Sequence, residues 1–181
     1  TLAFGEFNDI GQVPKYLPAK IMGEGAVEWL DDAFIGGRIK RGELVVKGAL
    51  DQFPFLDGQG LFETVFAIEN GEIQFNEDWP HLQSVYADVQ FSGADLQVSI
   101  LEGRSEKVDI DQAVVTIPAL ADSEHVYVWG QVQAKVMDSL AFLQKSPLKS
   151  NIDPVVELLN GSGKVKVDLD LKIPYYETDP V

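Results

Sequence analysis

Gly60 to Leu101 reads GLFETVFAIENGEIQFNEDWPHLQSVYADVQFSGADLQVSIL, and the spacing of its apolar residues decides the fold. Phe62, Phe66 and Ile68 fall on one side of an extended chain, interrupted only by Thr64. The same period returns at Val85, Ala87, Val89 and Phe91, and again at Leu96, Val98 and Ile100. Successive side chains of a strand point to opposite faces, so a period of two with one apolar side predicts three half-buried strands. The breaks carry turn chemistry. Asn70-Gly71 follows the first strand and Ser92-Gly93-Ala94-Asp95 precedes the third, which predicts short connections and antiparallel neighbours. Ile73 and Phe75 are then the return strand of an Asn70-Gly71 hairpin. The stretch from Asn76 to His81, with Trp79-Pro80, breaks the ladder because proline has no N–H to donate.

Outward from this meander, Leu2 to Phe7 can pair as a first strand. Glu24 to Phe34 carries Val27, Leu30 and Phe34 at helical spacing, with Gly36-Gly37 as its stop. Arg38 to Leu50 reads as two short strands or one strand broken at Gly42. Gln52 to Gly60 is a loop whose Phe53 and Phe55 tuck against a core, since exposing both rings forfeits several kcal/mol at about 25 cal/mol per Å². On the C-terminal side, a turn at Glu102-Gly103 leads to a strand from Val108 to Ile117, which Pro118 ends. Val126, Val128 and Val132 alternate with Tyr127, Trp129 and Gln131, a strand bulky on both faces and so expected to be covered on both near its centre. Val136, Leu140 and Leu143 share one stripe of a helix from Val136 to Gln144 that stops before Ser146-Pro147. Val155 to Leu159 is a short helix or a strand. Lys164 to Ile173 alternates without error: Val165, Val167, Leu169, Leu171 and Ile173 on one face, Lys164, Lys166, Asp168, Asp170 and Lys172 on the other.

The 181 residues form one sizeable core with no linker-like run to divide them, so a single module over 1–181 is expected. Hydrophobic residues make up 45%, which places the chain among folded proteins. A formal charge of −15, spread over both halves, repels phosphate backbones and anionic headgroups and argues against nucleic acid as a partner. The chain has no cysteine, which removes disulfides, thiol catalysis and thiolate metal sites. No apolar run approaches the roughly 20 residues of a membrane-spanning helix. Beginning at Thr1 without methionine, the sequence reads as a processed protein or an excised fragment, and a last strand that ends a few residues before Val181 favours the fragment.

Catalytic ingredients are sparse. His81 and His125 stand at no spacing that makes a metal site or a triad, so no catalytic residue, no metal ligand and no cofactor is expected. Asp109 with Asp111, and Asp168 with Asp170, share strand faces and read as solvated rows. What stands out is the sum of apolar strand faces, larger than two or three short helices can cover. Such a surplus faces a second sheet, a partner module or a greasy ligand. The fold expected is mainly β with a few short helices, either a curved antiparallel meander forming a groove or a closed β-sandwich.

Several landmarks come in a familiar order. They are Tyr16-Leu17-Pro18, Trp29-Leu30, Ala33-Phe34 and Gly36-Gly37; then Gly48-Ala49-Leu50, Phe53-Pro54-Phe55 and Asp57-Gly58-Gln59-Gly60 leading into Phe62. Trp79-Pro80, Gly130, Phe142-Leu143, Ser146-Pro147-Leu148 and Ile173-Pro174 complete the series. In this the chain resembles the periplasmic region of the AsmA-like superfamily, and most closely its YhdP group. The resemblance implies a β-taco-like segment of a long, inner-membrane-anchored Gram-negative envelope protein, located in the periplasm. It implies a bridge-like role in moving phospholipid between inner and outer membranes, which supports the outer-membrane barrier. The implied partners are phospholipid acyl chains, adjacent modules of the same chain and other envelope proteins. Set beside that groove, the residues expected to contact lipid are Phe62, Phe66, Ile68, Val89, Phe91, Val98, Ile100, Val165, Val167, Leu169, Leu171 and Ile173. The alternative is a non-transporting scaffold or interaction module. A carbohydrate-binding surface would instead need Trp79, Tyr127 and Trp129 exposed together.

Overall fold

A computed structural model describes residues 2–4, 32–53, 55, 58–120, 122–149 and 161–174. Its strands are β1 (Leu2–Phe4), β2 (Phe34–Lys47), β3 (Leu61–Ile73), β4 (Leu82–Ser92), β5 (Asp95–Ser105), β6 (Val108–Ile117), β7 (His125–Lys135) and β8 (Lys164–Pro174). All eight lie in one sheet in sequence order, each antiparallel to the next. The sheet is an open meander with β1 and β8 at its edges, so the closed sandwich does not form among the described residues. One longer helix, α1 (Val136–Gln144), follows β7 at the residues its apolar stripe marks.

Register turns the alternation of each strand into a single inner face. One row runs Gly42, Phe66, Val89, Val98, Val115, Val128 and Leu171 from β2 to β8. The next runs Ile39, Ile68, Ala87, Ile100, Ala113, Gly130 and Leu169. Thr64, the polar interruption in β3, is buried on this face and donates its hydroxyl to the Glu43 carbonyl oxygen at 3.0 Å. That bond removes most of the penalty of burying a hydroxyl among apolar neighbours.

The register shifts gather at one end of the sheet. They fall between Phe34 and Arg41 in β2, Ile68 and Ile73 in β3, Gln83 and Ala87 in β4, and Ile110 and Gln112 in β6. Bulges bend a strand and raise its local twist, so this end curls more than the other. Here the structure corrects two readings. Asn70-Gly71 is not a hairpin: β3 runs through it to Ile73, Phe75 lies beyond the strand, and only Asn70 has positive φ, 52°. A two-residue hairpin of that sequence needs both residues there, so the pair serves as a bulge instead. Gly36-Gly37 does not stop a helix at Phe34; Asp32 and Ala33 are helical and Phe34 already opens β2. Gly37 adopts φ 117°, and a Cβ on it would lie 2.7 Å from the Gly71 Cα, so the two glycines let the bulged strands close on one another. The remainder of the expected helix from Glu24, the strand beyond Phe4 and the segment Val155 to Leu159 lie outside the described residues.

Two further strand boundaries differ. Gly42 does not break β2, which is one strand of 14 residues. The Glu102-Gly103 turn is also absent: β5 continues to Ser105, and the chain reverses at Glu106-Lys107, where Glu106 takes φ 53°. The Ser92 to Asp95 turn forms as expected, with Gly93 at φ 58°.

Loops finish the core at the less bulged end. Phe55 is buried, and Phe53 meets both Phe55 and Phe62 edge to face, at 5.7 and 5.1 Å between ring centroids. Leu120, from the β6–β7 connection, joins the same cluster, and its N–H donates to the Ala94 carbonyl at 2.8 Å. A Cβ on Gly60 would sit 2.3 Å from the Phe55 ring. Gly60→Ala is therefore expected to expel Phe55 and lower the melting temperature, whereas Gly58→Ala has open space and pays only for its φ of 78°. Thermal melts of the two variants check this.

Candidate functional site

Cover over the inner face fades from β3 to β8. Phe62, Phe66, Ile68, Val89, Phe91 and Ile100 are all buried and belong to two contiguous clusters, with Val98 half-buried against both. At the other edge, Val165, Leu169, Leu171 and Ile173 are only half-buried and Val167 is 38% exposed. The twelve residues expected from the sequence thus share one face but divide into a packed group on β3–β5 and an open group on β8. Leu44 and Val46 on β2, Val115 on β6 and Val126, Val128 and Val132 on β7 complete the same face. None of them is among the residues expected from the sequence to contact lipid. The signal existed in β7, but its equally bulky second face hid which side was inner. β7 is half-buried on both faces, short of the full cover expected, and Trp129 remains 45% exposed.

The ends of the strands are closed differently. Phe53, Phe55 and Leu120 pack over one. At the bulged end, α1 rests on β6 and β7 with Leu140 buried, and Phe142 lies 6.3 Å from the Trp79 ring, which in turn meets Phe75 at 5.9 Å. Lys145 pairs with Glu106 at 2.7 Å and Lys107 with Asp138 at 3.5 Å, fixing the helix beside the β5–β6 turn. Trp79 stands in the β3–β4 connection, where Gln74 Nε2 donates to the Asn76 and Trp79 carbonyls. It is therefore apart from Tyr127 and Trp129, which stack on the outer face of β7.

Polar groups of the outer face mostly satisfy one another. Lys40 and Arg38 both reach Glu69 at 2.7 Å, and their hydrogen bonds hold its carboxyl below the usual glutamate range. Asp109 pairs with Arg104, and Asp111 with Lys166 and Gln133, as solvated rows do. His81 shares a hydrogen bond with Gln83, and His125 packs against Tyr127 at 6.4 Å. Among the described residues no group of three or more histidines and carboxylates is placed to hold a metal, and no helix is long and apolar enough to cross a membrane.

An open antiparallel meander with an apolar inner face, closed at its strand ends and uncovered toward one edge strand, defines the class: a mainly β, single-sheet protein with an apolar trough. Within that class the chain belongs to the YhdP family, whose profile, described as YhdP protein, matches residues 4–181. It is similar to the intermembrane phospholipid transporter YhdP of Escherichia coli (strain K12), with 25% identity over 167 residues. That match covers 92% of this chain and 13% of the relative, so the chain spans about an eighth of the relative's length. No solved structure matches significantly.

Proposed function

We propose that this chain is one segment of a periplasm-spanning, bridge-like protein that carries phospholipid between the inner and outer membranes, its inner face receiving the acyl chains. The observation that carries the reading is the apolar inner face running from β2 to β8, whose β8 members stay partly exposed at a sheet edge. A soluble surface seldom leaves a contiguous apolar row open without an occupant. The similarity to a phospholipid transporter supplies the chemistry of that occupant. The role is non-catalytic, the setting is the periplasm, and the neighbours are adjacent modules of a longer chain, here a single module over 1–181. Of the twelve expected residues, the β8 group makes the accessible contacts, and the β3–β5 group forms the floor.

A second reading is a scaffold that transports nothing. It is favoured by the near-complete burial of Phe62, Phe66, Val89 and Phe91, which leaves no room for a chain above β3 and β4. Lipid capture separates the two. After incubation with phosphatidylethanolamine and phosphatidylglycerol vesicles and repurification, mass spectrometry is expected to find phospholipid retained by the protein. Lipid-free protein under those conditions would leave the scaffold.

A further inference from the structure

Among the described residues β8 is bonded to β7 on one side only, through a ladder that runs from Lys164 to Pro174 without a register shift. An edge of this kind presents a row of free N–H and C=O groups to any strand that can match it. Proteins commonly blunt such an edge with a bulge, an inward-pointing charge or a proline within the strand. β8 has no bulge, its inward residues Val165, Val167, Leu169 and Leu171 are all apolar, and its one proline is the terminal Pro174. What remains is the charge pattern of its outer face.

That pattern is self-complementary. Along the strand the outward charges run Lys164, Lys166, Asp168 and Asp170, two cations followed by two anions. Laid antiparallel against itself about Val167, the run places Lys164 opposite Asp170 and Lys166 opposite Asp168, and both pairs recur on the other side of the axis. Every facing outward pair is then of opposite sign, the arrangement that stabilises neighbouring strands. Moving the axis one residue either way sets Lys166 against Lys166 or Asp168 against Asp168. Within the single chain, Lys166 and Asp168 are met by Asp111 and Gln131. Lys164 instead lies opposite Lys135 and Asp170 opposite Trp129, and neither has an ion pair or a side-chain hydrogen bond among the described residues. The two unmet charges are the two that a second copy would bring together.

We propose that two copies of this chain join edge to edge through β8, antiparallel and in register about a two-fold axis at Val167. An isologous contact of this kind is the commonest way for like chains to pair. The axis is perpendicular to the sheet, so both inner faces stay on the same side, with Val165 against Leu169 and Val167 against its own copy. Val167, 38% exposed in the single chain, is covered on its open flank. A net charge of −15 opposes self-association at long range, but the four charges of the paired run cancel, so the contact itself is neutral. The join extends the trough sideways without filling it, so it holds or fails independently of lipid binding.

The chain has no cysteine, so a single introduced one reports the register. Val167→Cys is expected to give a disulfide-linked dimer under mild oxidation, because facing residues of antiparallel strands lie about 4.5–5.5 Å apart at Cα, within disulfide reach. Val165→Cys and Leu169→Cys should link about tenfold more slowly or worse, since at ~3.4 Å per residue each lies about 14 Å from its own copy. Sedimentation of the unaltered chain should show a dimer that dissociates on dilution. The double variants Lys164→Asp with Lys166→Asp, and Asp168→Lys with Asp170→Lys, should each weaken self-association by about tenfold or more, and an equimolar mixture of the two should restore it. Circular dichroism checks that each variant keeps the fold. A monomer at every concentration up to the solubility limit, equal linkage at 165, 167 and 169, charge variants that associate as tightly as the unaltered chain, or a mixture of folded variants that does not associate would overturn the proposal.

Discussion

Phe66→Ala is expected to cost about 3–5 kcal/mol of folding free energy, the range for deleting a buried aromatic ring. Phe66 is 3% exposed, lies between Gly42 and Val89 in register, and stacks on Phe91 with centroids 6.5 Å apart. Gly42 has no side chain to lean into the vacancy, so the cavity persists and the cost belongs at the upper end. On a protein of this size the melting temperature should fall by on the order of 10 °C. Glu63→Ala, on the opposite face of β3, should stay within about 0.5 kcal/mol. Urea titrations of both variants measure the difference, and equal stabilities would mean that β3 does not floor the core.

Leu169→Asp is expected to leave the fold in place and abolish phospholipid retention. Leu169 is half-buried on the edge strand, opposite Gly130, so an introduced carboxylate keeps its water and strands no buried charge. An acyl chain laid along β8 would have to strip that water, and desolvating an unpaired ion costs several kcal/mol. The same substitution at Phe66 would unfold the core and report nothing about lipid. The informative comparison is Lys166→Glu on the outer face, which loses its ion pair to Asp111 at 3.1 Å but should retain lipid fully. Retention measured by mass spectrometry, beside a thermal melt of each variant, reads out both effects.

The residues legible from sequence are those whose role is set by their own strand. Lys164 to Ile173 alternates without fault and is β8, which extends one residue further to Pro174; Val108 to Ile117 is β6 to the residue. Val136 to Gln144 is a helix because Val136, Leu140 and Leu143 have no strand-like reading. Positions decided by neighbouring strands were not legible. Asn70-Gly71 carries hairpin chemistry, yet β2 and β4 continue past it on both sides and pairing overrides the local preference. The β5–β6 reversal uses Glu106-Lys107, with no glycine or asparagine to announce it. The inner face was half visible. Phe62 and Leu169 could be assigned to a shared face, but how much covers each depends on which loops fold over the strand ends, and Phe53, Phe55 and Leu120 pack into a cluster that runs from Ile39 and Phe62 to Leu96 and Ile117 and takes in no residue of β8.

Site-specific photo-crosslinking on β8 tests the central claim most directly. A benzoylphenylalanine at position 169 or 171 faces the trough, and one at 168 or 170 faces outward. In intact cells producing the full-length protein, the account predicts phospholipid adducts at 169 and 171 and none at 168 and 170. Protein adducts alone at all four positions, with the fold retained, would contradict it and make this stretch of the sheet a packed module rather than a lipid path.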